Sequence, residues 1–175
     1  MSEQLPSEET ALKLLEEAGC SKKVIKHCQA VANFAVEIAE ACRKKGIKID
    51  VSLVRIGALL HDVGRAKTHG VEHGVVGAKI MRELNLPDVV VSIIERHVGG
   101  GISSKEAEKL GFPVKSYVPE SIEERIVAYA DKLIEGSMRV PVNVAVKRFR
   151  QDISIPETAV ERLKLWHEEL SACLE

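Results

Sequence analysis

Residues 21–46 read SKKVIKHCQAVANFAVEIAEACRKKG, and this stretch decides the fold class. Val24, Cys28, Val31, Ala35, Ile38 and Cys42 recur alternately four and three apart, which places them on one stripe of a helix with 3.6 residues per turn. Ser21 is a good cap for its start. Arg43, Lys44 and Lys45 carry the sign that suits its end, and Gly46 stops it. His27 borders the apolar stripe, four residues before Val31.

Helical patterns continue on both sides. A first helix is expected over 7–18, between Pro6 and Gly19, and a third from Asp50 to about His61-Asp62 with Gly64 beyond it. Residues 65–72 read as a loop. Helices follow over about 73–84 and 88–97, and Gly99-Gly100-Gly101 ends the second of them. Ser103 with Glu106, and Ser121 with Glu124, have capping-box spacing. The first should open a short helix ending at Gly111, the second a helix running to about Glu135. The stretch after Pro141 is read as helical despite its valines, and an amphipathic helix fits 156–173. No strand-type alternation, internal repeat or domain boundary stands out. The expectation is an all-α bundle of about six to nine helices over 1–175, with a core near 21–135 and a helical extension over 136–175.

A net charge of -1 gives no bulk attraction to nucleic acid or to an anionic membrane. Aromatic content of 3% leaves few faces on which unpaired bases could stack. No apolar run reaches membrane-spanning length, and residues 1–10, MSEQLPSEET, lack the pattern of a secretory leader. Cys20, Cys28, Cys42 and Cys173 form no zinc or redox spacing and read as reduced core thiols, so a cytoplasmic protein is expected.

The informative residues are polar ones on faces that should be buried. His61 shares a face with Val54 and Ala58, and Asp131 lies between Val127 and Ile134 at helical spacing. An ionised carboxylate buried without a partner costs several kcal/mol. Inward aspartates and histidines on separate helices share one explanation, a divalent cation bound by imidazole and carboxylate.

The set resembles the HD superfamily: His27, then His61-Asp62, then Asp131 on successive helices. Residues 59–65, LLHDVGR, are similar to the HDIG variant, and 126–132, IVAYADK, to the helix that carries the last aspartate. His73 in HGVVG and His97 in IERH resemble the intermediate histidines of small archaeal HDIG proteins. The likeness covers about 21–135.

The resemblance implies a metal-dependent phosphohydrolase. A first ion would sit on His27, His61, Asp62 and Asp131, and a second on His73 and His97 with Asp62 bridging. Asp62 would also help orient the attacking water. Arg65 and Lys132 would contact substrate phosphate, although Lys132 equally fits a structural pairing with a carboxylate. One or two ions of Mn, Fe, Co, Ni or Zn are expected, and a small phosphorylated substrate, a nucleotide or its relative. Two departures bear on this. His97 is followed by Val98-Gly99-Gly100-Gly101 rather than a second His and Gly-Tyr-Pro, which argues against the HD-GYP branch. Lys23 stands where some members have a ligand glutamate, which argues against a third ion.

Two alternatives stay open: a non-catalytic nucleotide or second-messenger binding module, and a diiron oxygenase. His69 is four residues before His73, but Gly70 occupies the place of a zincin glutamate, so a protease is not expected. His69 reads as a rim or loop residue, Arg96 as ambiguous, and His167 as surface or packing.

Overall fold

A computed structural model describes residues 4–175. The reading of residues 1–10 as no secretory leader falls partly on 1–3, outside the described residues. Nine α-helices lie among the described residues: α1 (Glu8–Ala18), α2 (Lys22–Lys44), α3 (Val51–Leu60), α4 (His73–Glu83), α5 (Asp88–Arg96), α6 (Ser104–Lys109), α7 (Ile122–Lys132), α8 (Val142–Gln151) and α9 (Glu157–Leu174). The fold is all-α, as the sequence implies.

Capping is local and readable. Ser7, Ser21 and Asp50 accept the backbone N–H of Thr10, Val24 and Leu53, which satisfies one orphan donor at each start. Ser103 and Glu106 form a complete capping box. The box expected at Ser121 is only half built. Ser121 Oγ accepts from Glu124 N at 3.1 Å, but the Glu124 carboxylate turns to Glu120 N at 2.7 Å and to Arg96 at 3.1 Å. The Arg96 guanidinium and the Glu120 amide together draw the carboxylate away from Ser121 N.

The centre of the molecule is α3, apolar around most of its circumference, with Val54, Ile56, Ala58, Leu59 and Leu60 buried. It packs on α2, α5 and α7, so the residues just beyond its carboxyl end emerge among those helices. The α2 stripe is buried from Cys28 to Cys42 as its spacing requires.

Three expectations need correction. The α7 helix stops at Lys132 instead of reaching Glu135, because the chain turns into a hairpin with β1 (Ile134–Glu135) antiparallel to β2 (Met138–Arg139). Two residues per strand are too few to show alternation. The start of the 65–72 loop is taken up by a 3₁₀ turn over Val63–Ala66, which follows α3 after the His61-Asp62 turn. Finally, Cys42 and Cys173 are not free thiols but a disulfide with Cα atoms 4.8 Å apart. They lie 131 residues apart in sequence, so no spacing rule could pair them. Only the return of α9 onto α2 does so. For that pair the argument for a reducing compartment lapses, while Cys20 and Cys28 remain free. No helix among the described residues is long and apolar enough to cross a membrane.

Candidate metal centre

His61 caps the carboxyl end of α3, and Asp62 follows it in the turn. His73 begins α4, His97 caps the end of α5, His27 lies one turn into α2, and Asp131 sits near the end of α7. Close approach between the turn and α4 depends on Gly64. A Cβ there would lie 1.8 Å from the carbonyl oxygen of His73, so no larger residue fits.

The four imidazoles share one arrangement. The Nδ1 atoms of His27, His61, His73 and His97 lie 2.6, 2.6, 2.7 and 2.7 Å from the carbonyl oxygens of Gly136, Ala58, Gly70 and Ile94. A carbonyl oxygen can only accept, so each Nδ1 carries the proton and donates it. Each ring then presents Nε2 to the interior.

Those Nε2 atoms gather on two carboxylates. His27 and His61 approach Asp131 Oδ1 at 2.9 and 3.3 Å, and lie 3.7 and 3.5 Å from Asp62 Oδ2. His73 and His97 approach the other oxygen, Asp62 Oδ1, at 3.2 and 3.3 Å. Asp62 therefore stands between two imidazole pairs, and the six residues named from the sequence converge. His61 Nε2 and Asp62 Oδ1 are buried with no aligned hydrogen-bond partner. Unsatisfied polar atoms at this depth are rare, and ordinary only where a proton or cation is shared.

Electrostatics point the same way. Burial alone would push the Asp62 carboxyl up. The charge on His61 first, then the close approach of the His61, His73 and His97 rings, outweigh it and hold the group well below the carboxylate range. Burial is likewise outweighed at Asp131, by Lys132 first and then by His61 and His27. Both acids are ionised. Burial pushes the His97 imidazole down to about 4, so it is neutral. His61 resists its own burial because Asp62, Cys28 and Asp131 surround it, and its proton is held well above the usual pH. Two ionised acids and the neutral His97 ring are ready to take a divalent ion, and the His61 proton is the one a cation would displace. Two donor sets are compact enough to hold an ion, His27 with His61 and Asp131, and His61 with Asp62 and His97.

The remaining candidates separate. Arg65 Nε donates to Asp62 Oδ2 at 3.0 Å, and Lys132 pairs with Asp131. Both line a cavity of about 610 Å³ that reaches His27, His73 and Asp131. His69 lines it too, at the rim, with its carbonyl facing Arg65. Arg96 is tied to Glu120 and Glu124, which makes it structural. His167 bonds the Tyr129 hydroxyl at 2.8 Å and serves packing between α9 and α7.

Sequence reasoning missed Arg148 and Ser154-Ile155, which also line the cavity. Nothing in their local pattern marks them. It also missed the four carbonyls, yet three of these lie three residues before their histidine, a spacing that a residue ending or opening a helical turn could have suggested.

The family model described as HD domain matches residues 24–135. The chain belongs to the HD domain family. This HD chain is 46% identical to an uncharacterized protein of Methanocaldococcus jannaschii, over 95% of its own length and 98% of the relative's. It is 44% identical to the tRNA (cytidine(56)-2'-O)-methyltransferase of Thermoplasma volcanium over 97% of its length, and spans about half of that protein, 48%. Its fold resembles the L. monocytogenes phosphodiesterase PgpH HD domain in complex with cyclic-di-AMP, with a TM-score of 0.56 at 18% identity, covering 90% of this chain and 92% of that one.

Proposed function

We propose that this HD domain is a metal-dependent phosphohydrolase acting on a small phosphate ester or anhydride, a nucleotide or its relative. One observation carries the reading: four imidazoles with their Nδ1 protons committed to main-chain carbonyls aim Nε2 at two buried, ionised carboxylates. His27, His61, Asp62 and Asp131 would hold a first ion. His73 and His97 would hold a second, with Asp62 shared.

An ion bound there supplies Lewis acidity, making water more acidic and drawing charge from phosphoryl oxygens. The carbonyls fix the tautomer and orientation of each ring before anything binds. Arg65, Lys132 and Arg148 line the cavity beside the ligand set and give it the positive charge a phosphate requires. Arg65 can pass from Asp62 to a phosphate oxygen, and Asp62 would help orient the attacking water. That the PgpH HD domain is a phosphodiesterase domain seen in complex with cyclic-di-AMP supports a nucleotide as substrate.

One observation favours a second reading, a nucleotide-binding module without turnover. In the Thermoplasma relative the matching region is only about half of a protein named for a different reaction. Metal analysis with a screen of phosphomonoesters, phosphodiesters and nucleotides under Mn, Co and Ni separates the two. The hydrolase reading expects turnover that Asp62→Ala abolishes while the helical circular dichroism stays. Wild-type rates in that variant would remove Asp62 from the mechanism, and metal-dependent stability with no turnover on any ester would favour the binding module.

A further inference from the structure

A second cavity, of about 240 Å³, opens beside the first and shares Val71, Val98, Gly99, Ser154 and Ile155 with it. Val98 directly follows His97, so the shared wall begins one residue beyond the ligand cluster. The chemistry of the two spaces differs. The larger is lined by His27, Arg65, Asp131, Lys132 and Arg148, whereas the smaller is closed by Ile102, Leu110, Pro156 and Ala159.

Apart from the exposed Lys109 at its edge, the polar groups around the smaller cavity are engaged. Arg162 on α9 donates to the carbonyls of Gly100 at 2.5 Å and Gly101 at 3.0 Å. The Ser154 hydroxyl donates to Asp152 at 2.6 Å, and the Glu106 carboxylate accepts from Ser103 N at 2.7 Å. Gly100 itself is required, because a Cβ there would lie 2.4 Å from the Ala159 carbonyl oxygen. The glycine run thus lets α9 close against it. Residues 154–159, which complete the wall, lie outside the 24–135 family match.

We propose that this cavity seats the organic part of the substrate, an uncharged ring joined to the phosphate held in the larger space. The carboxyl-terminal helices would then select the leaving group. A polyol would strand its hydroxyls against the apolar faces of Val98, Ile102, Leu110, Ile155 and Pro156, whereas a ring gains there from losing water contact. The inference rests on the hydrolase reading and extends it to substrate class.

Leu110 is exposed and lines only the smaller cavity, so Leu110→Glu puts a charge there at low risk to folding. Ile155→Trp fills the shared wall as a second variant. The experiment measures kcat/KM for 4-nitrophenyl phosphate, adenosine and uridine monophosphates, and glycerol 2-phosphate. Calorimetry then measures binding of 4-nitrophenol, adenosine and uridine to EDTA-treated protein. The expected result is that wild type prefers ring-bearing esters, that both variants lower their kcat/KM by about ten-fold or more, and that in Leu110→Glu, which lies outside the larger cavity, glycerol 2-phosphate turnover changes less than about two-fold. The free ring compounds should bind wild type and not Leu110→Glu. The nucleoside and aryl arms identify which ring the cavity takes. Equal loss on all esters, or no ring preference in an active wild type, overturns the inference and leaves the hydrolase reading standing. If no ester is turned over, the hydrolase reading fails, and the calorimetry alone decides whether the cavity takes a ring.

Discussion

The Nε2 atoms of His73 and His97 face each other at 3.0 Å while both rings donate Nδ1–H to backbone carbonyls. The His97 ring has no second proton to offer His73, since burial holds it neutral. Two lone pairs at that distance repel, and an ion held by His73, His97 and Asp62 would relieve that repulsion. Metal should therefore stabilise the fold strongly. At a free-ion concentration about a thousand times Kd, linkage supplies roughly 4 kcal/mol, a rise in Tm on the order of 10 °C for a chain this size. Calorimetry with EDTA and with added Mn, Co or Ni checks this. Identical Tm values with and without metal, in protein shown to be loaded, would count against the assigned centre.

Gly64→Ala should damage that centre without touching a ligand. The added Cβ meets the His73 carbonyl at 1.8 Å and the Gly77 backbone nitrogen at 2.8 Å, so α4 must move away from the turn. Overpacking of this kind costs about 1–3 kcal/mol. Displacement of α4 carries His73 with it, so metal content should drop along with Tm. A variant with full metal content and unchanged Tm would show that the close approach is dispensable.

Metal-free protein should be most stable near pH 6.5. The folded-state value of His97 is pushed down to about 4 from 6.5, so its contribution is present above 6.5 and lost as pH falls toward 4. The slope is up to about 1.4 kcal/mol per pH unit. The His61 value is raised, so its contribution is complete below 6.5 and is lost as pH rises through its folded value. Below the usual carboxyl range, protonation pressure on Asp62 and Asp131 adds to the acid loss. Urea titrations of EDTA-treated protein between pH 4 and 9 test the shape. A monotonic rise of stability with pH would contradict the assignment for His61.

Breaking the Cys42–Cys173 bond should lower stability and leave the metal centre intact. The bond closes a loop of 131 residues, for which chain entropy suggests about 5 kcal/mol, with 2–4 typical of measured cases. Cys173→Ser or dithiothreitol should lower Tm while metal content stays constant, because neither cysteine touches the ligand cluster. Loss of metal on reduction would show that α9 supports the centre more directly than its contacts indicate.

Cys20 should alkylate slowly. Burial, with help from Cys28 and Asp62, pushes its thiol up to about 11, so at pH 8 almost none is thiolate. Iodoacetamide should react with it well over ten-fold slower than with an ordinary thiol near 8.5. Rapid single-site labelling at Cys20, located by mass spectrometry, would contradict this.

Most of the helices were legible because their information is local. Ser21, Asp50 and Ser103 cap within four residues of their own position, and the 3.6-residue stripe of α2 is written along a single helix. The ligand candidates were legible for a related reason. His27, His61 and Asp131 occupy faces that helical spacing turns inward, where a polar residue has to be explained. Two-residue strands, by contrast, carry no period, so the β1–β2 turn that lends its Gly136 carbonyl to His27 was invisible.

The sequence by itself determined the helical class, the caps, and the inward faces of His61 and Asp131 with His27 at the border of its stripe; Asp62, His73 and His97 joined them through a family resemblance. Tertiary structure alone decided that Asp62 lies between two imidazole pairs, that Cys42 meets Cys173, and that residues 154–159 wall a cavity beside the site. The physical reason is range. Hydrogen-bond caps and side-chain periodicity act over a few residues, whereas these contacts join segments tens of residues apart, whose meeting depends on how α3, α5, α7 and α9 pack together.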